Sequence, residues 1–107
     1  MNKLEQLVLY GNSDISSEGI IILSESPFVK RLKLLDLHAT SVDDEGISYF
    51  LKGENCTELT SLNLNMSWKR ITNKTLYSFS LSKYCNKLKA LYLEDCLIGD
   101  IGLDELS

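Results

Sequence analysis

Leucine sets the rhythm of this chain. "LEQLVLYGN" places it at Leu4, Leu7 and Leu9 before Asn12, and "LKLLDLHAT" at Leu32, Leu35 and Leu37 before Thr40. "LTSLNLNMS" places it at Leu59, Leu62 and Leu64 before Ser67, and "LKALYLEDC" at Leu88, Leu91 and Leu93 before Cys96. The four copies begin 28, 27 and 29 residues apart, a self-similarity too regular for chance in so short a chain. Each copy continues with an apolar residue, a small one four positions on, and an apolar pair at helical spacing. These sets are Ile15, Gly19, Ile20, Leu23; Val42, Gly46, Ile47, Phe50; Ile71, Thr75, Leu76, Phe79; and Ile98, Gly102, Leu103, Leu106. Period two followed by i, i+3 spacing predicts a short strand, a turn and a helix in every copy.

The boundaries follow the same register. Ser16 and Ser17, Asp43 and Asp44, Thr72 and Asn73, and Asp100 fall where helix N-caps belong, and Pro27 falls after the first helix. Asp43, Asp44 and Glu45 share a first helical turn, where negative charge offsets the macrodipole; this outweighs reading them as paired catalytic carboxylates. One strand and one helix cannot bury their apolar faces alone, so four stacked units form a single domain over residues 1–107. Its repeats span approximately 4–31, 32–58, 59–87 and 88–107. Strands sit about 4.8 Å apart while helices are about 10 Å across, so the stack curves into a horseshoe arc. The expected fold is an α/β solenoid with four parallel strands on the concave side and helices on the convex side.

The pattern LxxLxLxx(N/T/S/C)x(I/V/L), covering essentially the whole chain, resembles that of leucine-rich-repeat proteins. "CTELTSLNL" from Cys56, "CNKLKALYL" from Cys85 and "LEDCLIGDIGL" resemble the cysteine-containing repeats found behind an F-box in ubiquitin-ligase substrate receptors. The period near 28 and the "SEG" and "DEG" helix starts resemble ribonuclease-inhibitor-type repeats. The chain departs from the first type in lacking cysteine in repeats one and two, and no segment reads as an F-box. The resemblance implies a non-enzymatic protein-binding module. One form is a free-standing interaction protein or inhibitor, and the other is the recognition part of an F-box ubiquitin-ligase receptor.

Composition narrows the partners. A formal charge of -4 without a Lys/Arg run argues against nucleic acid, because neutralising phosphates needs a concentrated positive surface. Apolar runs such as "GIIIL" are too short to span a bilayer, and the start lacks a secretory signal pattern. The expected setting is cytoplasmic or nuclear, not secreted. Three cysteines fit free thiols in a reducing compartment, which makes the Asn-x-Ser/Thr triplets at Asn55, Asn65 and Asn73 coincidental.

Chemistry finds few footholds. Cys96 shares its slot with Asn12, Thr40 and Ser67, and so reads as a small corner residue that hydrogen-bonds the turn. Cys56 and Cys85 match Val29, which implies packing. His38, the only histidine, lies on the strand side of the coil, away from those thiols; neither a zinc site nor a Cys-His nucleophile is expected. No phosphate-binding glycine loop or calcium loop is present, and no cofactor is implied.

Binding residues are therefore sought between the leucines, where side chains point away from the core. One column holds Val8, Asp36, Asn63 and Tyr92, and a second holds Tyr10, His38, Asn65 and Glu94. Tyrosines among acidic and hydrogen-bonding groups suit a protein partner. The third repeat adds two residues in "NMSWKRI", predicting a bulge at the rim that carries Trp68, Lys69 and Arg70. Trp68 reads there either as a binding hot spot or as a lid folded onto the core. Strand one starts almost at Met1 and the last helix stops at Ser107, so the chain is expected to belong to a longer array or to self-associate end to end.

Overall fold

The computed structural model describes residues 4–12, 14–29 and 31–97, apart from the side chains of Phe28, Trp68, Lys69 and Leu97. Within these residues the leucine triplets form the predicted strands β1 (Gln6–Val8), β2 (Leu34–Asp36) and β3 (Ser61–Asn63). The fourth, Ala90–Tyr92, is β5 in chain order. They make one parallel sheet in the order β1-β2-β3-β5. Leu7 pairs with Leu35, Leu35 with Leu62, and Leu62 with Leu91, so the sequence offsets of 28, 27 and 29 are the registers of the sheet.

The ladder runs beyond the short strands. Leu9 N donates to Asp36 O, Leu37 N to Asn63 O and Leu64 N to Tyr92 O, at 2.8–2.9 Å. Two residues on, Gly11 N, Ala39 N and Met66 N donate in the same way to His38 O, Asn65 O and Glu94 O. Gly11, Ala39, Met66 and Asp95 then all take positive φ, between 58° and 76°, which turns the chain out of the sheet at the same point in each repeat. The next residue fastens the turn: Thr40 Oγ1 and Ser67 Oγ donate to Leu37 O and Leu64 O at 2.7 and 2.6 Å, and Asn12 Nδ2 to Leu9 O at 3.0 Å. Cys96 departs from this pattern, because its thiol reaches Leu64 O of the preceding repeat at 3.1 Å.

The two extra residues of repeat three are not a free rim loop. Trp68–Thr72 forms β4, paired in parallel with β6 (Cys96–Leu97) as a second, two-stranded sheet. Trp68 lies opposite Cys96 and Thr72 opposite Leu97, so the excess is absorbed as a register shift between them. Ser16 and Ser41 make the corresponding bridge between repeats one and two.

Helices α1 (Ser17–Ser24), α2 (Asp44–Lys52) and α3 (Asn73–Leu81) follow the turns, with α1 against α2 and α2 against α3. The helix predicted after Ile98, with its cap Asp100, lies outside the described residues. Ile20, Ile47, Phe50 and Phe79 from the helices join Leu35, Leu37, Leu62 and Leu64 in one core where the central leucines are fully buried. Leu7 and Leu91, in the two edge strands, are only partly buried. No helix among the described residues is long and apolar enough to cross a membrane.

The small positions in the starts of α2 and α3, Gly46 and Thr75, hold the packing between neighbouring helices together. A Cβ on Gly46 would meet Ser17 Oγ at 2.4 Å and Ser17 Cα at 3.0 Å, so α1 can approach α2 only over a bare backbone. The Ser17 hydroxyl bonds Asp43, which also caps Gly46 N at 3.2 Å. Between α2 and α3 the same junction is polar: Asp44 accepts from Thr72 N (2.8 Å), Thr72 Oγ1 and the fully buried Thr75 Oγ1 (2.6 Å). Asp44 therefore bonds the neighbouring helix start in place of capping its own, while Ser16 sits at the N-cap without a side-chain bond. At the opposite ends, buried Asn55 Nδ2 donates to Ser24 O (2.6 Å) and Ser26 O (3.0 Å), and Ser82 Oγ donates to Leu51 O (2.8 Å). Each satisfies carbonyls left open by the helix before it.

Candidate binding surface

Strand alternation turns Leu7, Leu35, Leu62 and Leu91 into the core and their neighbours away from it. Val8, Asp36, Asn63 and Tyr92 are consecutive register partners, forming the first predicted column across all four strands. Tyr10, His38, Asn65 and Glu94 continue it two residues further along the hydrogen-bonded ladder. The same registers add a third column, Gln6, Leu34, Ser61 and Ala90, which the sequence reading passed over. Alternation alone would have found it, since these residues stand two positions before the first column. Trp68 belongs instead to the two-stranded sheet, and its side chain lies outside the described residues.

The two named columns divide by what their side chains already do. Asp36 Oδ1 accepts the His38 backbone N–H at 3.1 Å, and Asn63 Oδ1 accepts the Asn65 N–H at 2.9 Å, the same local turn in adjacent repeats. Asn65 Oδ1 in turn accepts Glu94 N–H at 2.6 Å. Asp36, Asn63 and Asn65 thus hold the backbone where the strands end. The apolar and aromatic surface lies with Val8, Tyr10 and Tyr92, which are 49%, 57% and 48% exposed, enough for each to lose substantial area to a partner.

His38 is the most constrained side chain of the face. Its ring stacks on Tyr10 at 4.9 Å between centroids and 3° between planes, and its Nδ1 lies 2.7 Å from Asp36 Oδ1. With Nδ1 committed to the carboxylate, the neutral ring keeps its proton there and leaves Nε2 as an acceptor, while a protonated ring would make Nε2 a donor. The result is a pre-oriented aromatic pair beside a carboxylate, suited to recognising a side chain by stacking and one hydrogen bond. The half-buried thiol of Cys96, near this end, has its pKa raised above the ordinary value by partial burial, which keeps it a weak donor to Leu64 O. Beyond the face, Lys87 lies 2.9 Å from Glu58 and holds that carboxyl below its ordinary range. No protein-family model matches the chain, and no curated protein matches it.

Proposed function

We propose that this chain is a leucine-rich-repeat solenoid that binds a protein partner on the open, concave face of its sheet and performs no catalysis. The observation that carries the reading is the placement of exposed Val8, Tyr10 and Tyr92 and the stacked, Asp36-anchored His38 on one face of a four-stranded parallel sheet, along its first, second and fourth strands. Tyrosines bring large contact area at low rotamer entropy, and a ring held on two sides gives up little freedom on binding. His38, Tyr92 and Glu94 supply the discriminating groups, while Asp36, Asn63 and Asn65 keep them in register. The cytoplasm or nucleus is the proposed setting, consistent with three cysteines that are all free thiols.

The test is affinity capture with the wild-type chain beside a Tyr10→Ala, His38→Ala, Tyr92→Ala triple variant. Partners held through this face drop out with the variant. An unchanged set of partners rejects the proposal, provided circular dichroism shows the variant folded.

Cys56 and Cys85, buried at matching repeat corners, favour a second reading, in which the module recognises substrates for an F-box-type ubiquitin ligase. Co-purification of a ligase adaptor with the parent protein distinguishes it from a free-standing binder. A longer array is also part of the proposal. Gly19 occupies in α1 the position of Gly46 in α2, yet a Cβ there would meet nothing within 4 Å, leaving a vacant seat for a preceding repeat.

A further inference from the structure

The helical side of the molecule carries an apolar surface of its own, separate from the sheet face. On α3, Tyr77 and Leu81 stand one helical turn apart and are 51% and 67% exposed, although the same helix buries Leu76 and Phe79. Beside them the space between α2 and α3 is hollow. A cavity of about 580 Å³ at the helix starts is lined by Glu45, Ser48, Tyr77 and Ser78, and one of about 200 Å³ at the helix ends by Ser48, Leu51, Ser78 and Leu81. Ser48 and Ser78 line both, so the two hollows make one groove with small residues at its middle. From Glu45 to Lys52 it follows two turns of α2, about 10 Å.

Charge marks the same groove. Arg70 and Lys74 line its start, and Lys52 and Lys83 its end. The carboxylates at the start are Asp43, Asp44 and Glu45, of which Asp43 already accepts from Ser17 and Gly46 N, and Asp44 from Thr72 N and Thr75 Oγ1. Lys52, Arg70 and Lys74 enter no ion pair among the described residues, and Lys83 lies over the Tyr84 ring at 5.2 Å. These four cations outnumber the three carboxylates in a chain whose formal charge is -4. We propose that the groove between α2 and α3 binds an acidic amphipathic helix of a partner protein. The incoming helix seats its apolar side chains against Tyr77 and Leu81, its backbone approaches over Ser48 and Ser78, and its carboxylates face Lys52, Lys74 and Lys83. An anionic bilayer would also meet cations and apolar side chains, but its surface is flat and would leave the hollow empty. The site lies on the helices, so it stands whether or not the sheet face binds a partner.

Two fluorescein-labelled peptides of about 16 residues test this, identical in a leucine stripe at helical spacing and carrying either Glu or Lys at the polar positions. Anisotropy reads their binding to the folded chain, and amide chemical shifts map it. The Glu peptide should bind roughly ten-fold or more tightly than the Lys peptide, weaken as salt is raised, and shift amides of α2 and α3 while sparing the four-stranded sheet. Tyr77→Ala with Leu81→Ala should weaken it by about ten-fold or more, and Lys52→Glu with Lys83→Glu should reverse the preference between the peptides. All four of these side chains are exposed, so both variants should melt as the parent does. Should one of them unfold, the shift map of the parent with the Glu peptide decides the matter. Equal binding of the two peptides, shifts confined to the sheet, or no binding of the Glu peptide at millimolar concentration overturns the proposal. So does binding to phosphatidylserine vesicles in preference to the peptide.

Discussion

Gly46→Ala adds one carbon at the contact between α1 and α2. That carbon would sit 2.4 Å from Ser17 Oγ, 2.8 Å from Ser17 Cβ and 3.0 Å from Ser17 Cα. Rotating the hydroxyl away relieves the first clash but breaks its bond to Asp43, and the backbone contact remains until the helices separate by several tenths of an ångström. Overpacking of this kind costs about 1–3 kcal/mol, and weakening a hydrogen bond to a carboxylate about 1 kcal/mol more. Alanine recovers up to about 1 kcal/mol through its better helix propensity. The net expectation is a destabilisation of about 2 kcal/mol, or a melting temperature lowered by roughly 8–16 °C. Gly19→Ala is the control, since it has the same chemistry at the matching position with nothing within 4 Å; it should be neutral or stabilising by about 0.5–1 kcal/mol. Urea unfolding of both variants, with Ser17→Gly added to each, measures the coupling between positions 46 and 17. If Gly46→Ala is as stable as Gly19→Ala, the close approach does not constrain the helices and the reasoning fails.

Asp44→Ala should be among the most damaging polar substitutions, because it strips partners from Thr72 N, Thr72 Oγ1 and buried Thr75 Oγ1; a loss of about 2–4 kcal/mol in urea is expected, with Asp44→Asn milder. Cys96→Ser should leave the fold and partner capture intact near neutral pH. Burial raises the folded thiol's pKa, so its contribution to stability is complete below the unfolded value near 9.0 and falls away as pH rises past it. Unfolding curves from pH 7 to 10 should therefore fall less steeply for Cys96→Ser than for the parent, and identical slopes would contradict the burial effect.

The parallel sheet was legible because one signal, the leucine triplet, carries both the strand and its register; a slip of one residue would turn Leu35 and Leu62 out of the core. The small residue in each helix start was also visible, though its reason differs between Gly46, which admits Ser17, and Thr75, which reaches Asp44. Contacts joining residues about 30 positions apart left no local trace. Asp44 looked like a dipole partner until Thr72 and Thr75 stood beside it, and Asn55 looked like one of three chance triplets although its amide satisfies Ser24 and Ser26. The left-handed turns were hidden in the two middle repeats because Ala39 and Met66, unlike Gly11 and Asp95, are not residues that favour positive φ. On the candidate face, period two located the two columns, but only hydrogen bonds separated Asp36, Asn63 and Asn65 from the exposed tyrosines. The two residues inserted in repeat three were countable in advance; their absorption into β4 depended on a partner at Cys96.

Asn55 and Ser82 carry a consequence for how such a chain can be cut and lengthened. Both send a donor backwards, as do Cys96 to Leu64 O and Thr60 Oγ1 to Lys33 O, so carbonyls beside a repeat's strand as well as after its helix are completed by the repeat that follows. The sequence period of about 28 residues is therefore not the unit of hydrogen-bond closure, which is offset toward the C-terminus. A duplication whose seams fall at the leucines keeps every debtor beside its creditor. A deletion that removes Ser82 but spares α2 leaves Leu51 O with only the weak Cys56 thiol donor inside an otherwise unaltered repeat. An insertion or deletion in this chain is therefore best tolerated where it keeps each corner donor with the carbonyl that it serves.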